Sequence, residues 1–165
     1  MRRLALAAVF VIFLCACQAT QIELTEDDKA AIAAEVNALV DAEWLASTDP
    51  VDFDKMMSLV HDTDQAAFSF NGGVVRSHSA MEDVLGAHFA SIRREPATIT
   101  DSMTVVLGPD AAYVIRSGTF VSIDTAGNSG PLTPFVQTLV WVKRDGVWKV
   151  LFGHASHGPP VEETM

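Results

Sequence analysis

Two runs of strand-forming residues close the chain and meet at Asp145-Gly146. Phe135 to Arg144 precede that pair and Val147 to His157 follow it. An Asp-Gly pair between β-rich runs marks a two-residue type I′ hairpin turn, whose central residues both need positive φ. That turn sets a register in which Arg144 faces Val147, Lys143 faces Trp148, Trp141 faces Val150, Leu139 faces Phe152 and Gln137 faces His154. Period-two alternation then puts Gln137, Leu139, Trp141, Lys143, Trp148, Val150, Phe152, His154 and Ser156 on one face. Val136, Thr138, Val140, Val142, Lys149, Leu151, Ala155 and His157 fall on the other. Both faces are largely apolar, so the hairpin belongs in the middle of a sheet.

Upstream the period changes from two to 3.6. Ile32, Val36, Leu39, Val40 and Trp44 recur at helical spacing behind Thr25-Glu-Asp-Asp28, an N-cap followed by acids that suit the helix dipole. This predicts a helix from about Glu26 to Ala46. Asp49-Pro50 reads as the cap and first position of a second helix, with Phe53, Met56, Met57 and Val60 on its apolar face. Ala66 to Phe70 and Val74 to Ser77 read as short strands joined at Asn71-Gly72-Gly73. Ser79-Ala-Met-Glu82 is a capping box opening a third helix to about Ile92. Longer strands follow at about Thr98–Leu107, Tyr113–Ile123 and Pro134–Arg144, before the last run at Val147–Ser156. Helices first and an antiparallel meander after make an α+β fold. A strongly curved, mostly antiparallel sheet wrapped on three N-terminal helices would form a cone with a pocket inside.

Composition changes this picture at the N-terminus. Arg2 and Arg3 precede Leu4 to Leu14, eleven apolar residues, too few for a bilayer span of roughly 20. This is a targeting leader rather than part of the fold. Leu14-Cys15-Ala16-Cys17 resembles the lipobox of bacterial lipoproteins. The resemblance implies cleavage before Cys17, acylation of Cys17 and a periplasm-facing lipid anchor in the cell envelope. Gln18 in place of Asp points to the outer membrane. An ordinary secretory signal cleaved nearby is the alternative and would leave a soluble periplasmic protein. Residues 1–16 are thus read as signal peptide, 17–24 as tether, 25–158 as the domain and 159–165 as a flexible tail. Eleven basic and twenty-one acidic residues give a net charge of −10. Without Arg2 and Arg3, nine basic residues would stand against twenty-one acidic ones, near −12. That balance excludes nucleic-acid binding, which needs clustered Lys and Arg.

Several segments resemble the SnoaL-like branch of the nuclear transport factor 2-like, or ketosteroid-isomerase-like, superfamily. They are Val105 with Leu107-Gly-Pro-Asp-Ala-Ala112, Ser117-Gly-Thr-Phe120, Leu139-Val-Trp141 through Asp145-Gly-Val-Trp-Lys-Val150, and His154-Ala-Ser156. The resemblance spans about Thr25 to His157 and implies the conical fold. It does not carry over a full active site. The isomerases' catalytic Asp would fall near Phe70, and their oxyanion Tyr has no counterpart on the first helix. Their protonated Asp would fall near Gly118. The pocket arginines of kinase association domains would fall at Gly118, Leu139 and Ala155.

The residues that could carry chemistry are few. His154 and His157, three apart on one strand, point to opposite faces, which is poor spacing for one metal. No Cys cluster or His-Glu-x-x-His exists, so neither metal nor cofactor is expected. His154 reads either as a scaffold histidine at the sheet end or as a polar group of the pocket. His88 reads as packed against Val84, Leu85 and Ile92. Arg116 shares a strand face with Gly118, Phe120 and Ser122, and once buried it needs a carboxylate. Asp41 or Glu43 of the first helix could supply that carboxylate, or an anionic ligand could. The expected pocket is Trp44, Phe68, Phe70, Arg116, Gln137, Trp141 and His154, between the first helix and the sheet. Its composition suits binding of a small, mostly apolar molecule. An isomerase-, cyclase- or hydrolase-type enzyme using His154 or His61 with Arg116 is the second reading. A homodimeric interaction module is the third.

Overall fold

The structure, a computed structural model, describes residues 23–70 and 72–161. The leader, Cys17, Asn71 of the predicted turn and the last four residues lie outside them. Helix α1 (Glu26–Leu39) starts where expected. Thr25 and Asp28 cap each other, the Asp28 amide donating to Thr25 Oγ1 at 3.1 Å and the Thr25 amide to Asp28 Oδ2 at 3.0 Å. Val36 and Val40 are fully buried on its apolar stripe. The helix then widens into a π turn over Val40–Trp44 and tightens into a 3-10 turn over Leu45–Ser47. Wide turns of this kind occur often beside functional sites, and here the π turn carries Trp44.

Helix α2 (Phe53–Ser58) begins later than Asp49-Pro50 suggested. Asp52 is its N-cap, accepting from the Lys55 amide at 2.9 Å. The Asp49 carboxylate is instead taken by the Arg94 guanidinium, with bonds of 2.6 and 3.1 Å. Strands β1 (Ala67–Phe70) and β2 (Gly73–Arg76) form the first hairpin. Helix α3 (His78–Phe89) is capped by Ser77, two residues before the expected Ser79. It ends short of Ile92, because β3 (Ile92–Arg94) pairs with β6 (Ile123–Asp124) in a small second sheet.

The main sheet runs β2-β1-β8-β7-β5-β4, with β4 (Ala97–Gly108), β5 (Ala111–Phe120), β7 (Thr133–Arg144) and β8 (Val147–His157). Neighbours are antiparallel except β1 and β8, which run parallel. The inner face presents Ala112, Val114, Leu139, Trp141, Trp148 and Val150 to α1 and to Met56, Met57 and Met81 of the other helices. The fold is therefore the curved α+β cone expected from the sequence. β4 lies close over Gly118: a Cβ there would stand 2.0 Å from the Thr98 carbonyl oxygen. The β4–β5 register slips beside that contact, between Ile99 and Asp101.

The last hairpin departs from the expected register halfway along. Arg144–Val147, Lys143–Trp148 and Trp141–Val150 pair as predicted, but Val140 then faces Phe152. Leu151 is left over as a β-bulge, which puts two residues against one. Beyond it Leu139 faces Gly153, Thr138 faces His154, Gln137 faces Ala155 and Phe135 faces His157. His154 and His157 have thus exchanged faces relative to expectation. The bulge sits where the other edge of β8 changes partner. Val150 bridges Val60 and bonds the backbone of Leu59 and His61, whereas from Phe152 onward the partner is β1. The shift also brings Gly153 under Phe68, whose ring would lie 2.3 Å from a Cβ at that position.

Candidate binding cavity

Between the helices and the sheet lies a cavity of about 160 Å³. Its walls are mainly apolar. Met56 and Met57 come from α2, Met81, Leu85 and Phe89 from α3, and Phe68 and Phe70 from β1, with Val150 and Gly153 across the floor. One end is polar. There Thr48, His88, Glu95, Gln137 and His157 gather around Trp44. Each reaches this place for a local reason. His88 follows Met81 and Leu85 on α3, at spacings of seven and three, but it stands largely exposed at the cavity's edge rather than packed as expected. Glu95 lies between β3 and β4, with its amide bonded to the Thr48 carbonyl at 2.7 Å. The Ser122 hydroxyl donates to its carboxylate at 2.7 Å. Gln137 points inward by alternation with Leu139 and Trp141, and His157 because of the bulge.

Burial is the main cause that holds the His157 imidazole below its ordinary value. The Glu95 carboxylate opposes that shift and His88 adds to it. His157 is therefore neutral at pH 7, able to donate through one ring nitrogen and accept through the other. Its ring stands 5.0 Å from that of Phe120, which stands 5.9 Å from Phe135. These aromatics border a second cavity of about 80 Å³, lined also by Leu45 and Ala97. The two cavities share Trp44, Thr48, Glu95, Gln137, Ala155 and His157.

Of the residues expected at the pocket, Trp44, Phe68, Phe70 and Gln137 line the larger cavity. Trp141 is wholly buried in the core and does not line it. Arg116 is on the inner face but turns toward the π turn after α1, its Nη1 donating to Asp41 Oδ1 at 2.7 Å. It borders a separate polar groove with Asn37, Ser102 and Thr104. His154 sits on the outer face, with Nδ1 2.7 Å from Ser69 Oγ. His61 is spent on the Val142 carbonyl at 2.9 Å. His154, His61 and Arg116 therefore do not converge, and an acid-base set built from them is corrected by the geometry. The titratable residues that do converge are His88, Glu95 and His157. The helical spacing of His88 was a usable signal for this. Glu95, a lone acid in a connection, offered none. Among the described residues no group of three or more His, Cys, Asp or Glu is placed to hold a metal ion.

The comparisons agree with this architecture. Solved structures of the same shape include a hexachlorocyclohexane dehydrochlorinase, LinA-type3, from Novosphingobium barchaimii LL02. It is 19% identical, with a TM-score of 0.66 over 86% of this chain and 97% of that one. A nuclear transport factor 2-like superfamily protein from Salmonella enterica is 19% identical at TM-score 0.63, over 86% and 97%. The association domain of C. elegans CaMKII is 18% identical at 0.63, over 79% and 99%. At such identities the likeness shows the fold. No curated protein matches the chain in sequence. The profile of the SnoaL-like domain matches residues 36–162, most of the chain. On that match and on its nuclear transport factor 2-like fold, the chain belongs to the SnoaL-like family.

Proposed function

We propose that this SnoaL-like domain binds a small, mostly apolar molecule in its conical cavity, on a protein anchored to the envelope membrane through Cys17. The observation that carries the binding reading is the division of the lining: apolar walls, with polar side chains gathered at one end. Small-molecule sites are built this way, the few polar groups orienting what the apolar walls hold. A cavity of this volume suits a molecule on the order of one six-membered ring, since an engineered cavity of ~150 Å³ takes benzene. A thermal-shift screen of neutral ring compounds should yield stabilising hits. Leu85→Trp, which fills the cavity, should abolish the response while the far-ultraviolet spectrum stays native. Hits that stabilise the variant equally would place binding elsewhere.

A second reading is favoured by the meeting of His88, Glu95 and His157 in one cavity, the pattern of an acid-base site. A structural neighbour is a dehydrochlorinase, which makes elimination the first reaction to assay. Turnover of a hit, lost in His157→Gln and Glu95→Gln, would establish it. The homodimer reading rests on the outer sheet face, where Val136 and Phe152 are exposed apolar residues. Sedimentation that shows a dimer, converted to monomer by Phe152→Lys, would support it.

A further inference from the structure

The two adjoining cavities differ in size and character, and the residues they share are mostly polar. The inner one is a ring-sized apolar chamber. The outer one is about half as large, walled by Leu45, Phe120 and Phe135, and it ends at the exposed Ala97. Between them stand the Gln137 amide, the Glu95 carboxylate and the His157 imidazole. A ligand that was only a ring would leave the outer chamber empty. A ligand that filled both chambers with its polar group at one tip would leave that group beyond the polar residues or short of them.

We propose that the site takes a two-part ligand, an inference that rests on the binding reading above. A ring-sized apolar part fills the inner chamber and a short apolar tail fills the outer one. A neutral linker carrying both a donor and an acceptor joins them at Glu95, Gln137 and His157. The linker chemistry follows from the three side chains. A carboxylate only accepts, so it calls for an N–H or O–H and repels an anion. The Gln137 amide can donate to a carbonyl, and a neutral imidazole complements either group. A secondary amide carries both functions.

The test is a series of N-alkyl benzamides, from benzamide to N-hexylbenzamide, titrated by calorimetry into wild type and two variants. In wild type the affinity should rise about fourfold per methylene, since a buried CH₂ is worth ~0.8 kcal/mol and tenfold is ~1.4 kcal/mol. It should fall again once the tail outgrows the outer chamber. Ala97→Trp changes an exposed position that lines only that chamber, and should flatten the series. Phe120→Ala enlarges the chamber and should move the optimum to a longer tail. Benzoate should bind more weakly than benzamide. Benzamide binding with no chain-length dependence in wild type would overturn the two-part ligand and leave the cavity reading intact. Binding of ring compounds in the screen with none of the amides binding would overturn the linker. Failure of every neutral compound would overturn the binding reading itself.

Discussion

Two glycines show how much depends on single atoms. At Gly118 the obstacle to a Cβ is the Thr98 backbone, 2.0 Å away, and nothing flexible can yield. At Gly153 it is the Phe68 ring, which can turn into the cavity beside it. Gly118→Ala should therefore cost more than the ~1–3 kcal/mol usual for overpacking. Gly153→Ala should stay within that range and reduce ligand binding more than stability. Equal losses of melting temperature in the two variants would refute this distinction. His157 carries the pH prediction. Folding holds its imidazole below the ordinary value of 6.5, so the unfolded chain binds the proton more readily. Its contribution is complete above about pH 6.5 and is lost as pH falls toward the folded value. Melting temperature should decline on acidification from pH 7, less steeply in His157→Gln. The Thr25, Arg94 and Asn128 side chains lower the carboxyls of Asp28, Asp49 and Asp124 respectively. Those groups therefore act only at lower pH, near and below about 4. Identical pH slopes in the two proteins between 7 and 5 would remove His157 from the account. Neither residue's role was legible beforehand. The Gly153 contact depends on a β1–β8 pairing that lies about eighty positions apart in sequence, and the inward turn of His157 on a slip.

At the scale of elements, types were easier to read than ends. The apolar stripe of α1 and the Asp145-Gly146 turn made their elements plain, and both stand where expected. Caps were ambiguous wherever several capping residues followed one another. Asp49 and Asp52 compete for α2, and Ser77 and Ser79 for α3. The competition is settled outside the helices, by Arg94 for the first pair and by the exit of β2 for the second. Asp52→Ala and Ser77→Ala should each destabilise by about 0.5–2 kcal/mol, and Ser79→Ala by much less. Urea denaturation of the three variants checks this, and a larger cost for Ser79→Ala than for Ser77→Ala would contradict the cap assignment. The position of the Leu151 bulge was not fixed by the pattern. Register is strongly specified only where one face is polar, and in this hairpin both faces are apolar, so moving Leu151 out of line breaks no visible pattern. That one residue decides which of His154 and His157 enters the cavity.

For the whole molecule, the cone and its α+β order were legible because each follows from the sequence of periods along the chain. The pocket was half legible: its aromatic walls come from strongly apolar elements, while its polar end is assembled from connections and strand tips. The anchor is tested independently of the cavity. Wild type should fractionate with membranes and incorporate labelled fatty acid, and Cys17→Ser should do neither. A variant that stayed lipid-labelled would rule out Cys17 as the acceptor.

The parallel pairing of β1 with β8 fixes the order in which the protein can be built. Hairpin β1–β2 joins the main sheet through β8, the last of the described strands in chain order. Until it docks, Phe68 and Phe70 have no floor to close against, since Gly153 and Ala155 have not arrived. The cavity therefore cannot close before β8 is in place, and a product ending before Val147 would lack both the hairpin partner of β7 and the tie that holds the first half of the domain to the second. Pairings across such separations carry high closure entropy and fold slowly. The cavity is thus completed in one step, when β8 docks, and a chain without that strand has no partial version of it.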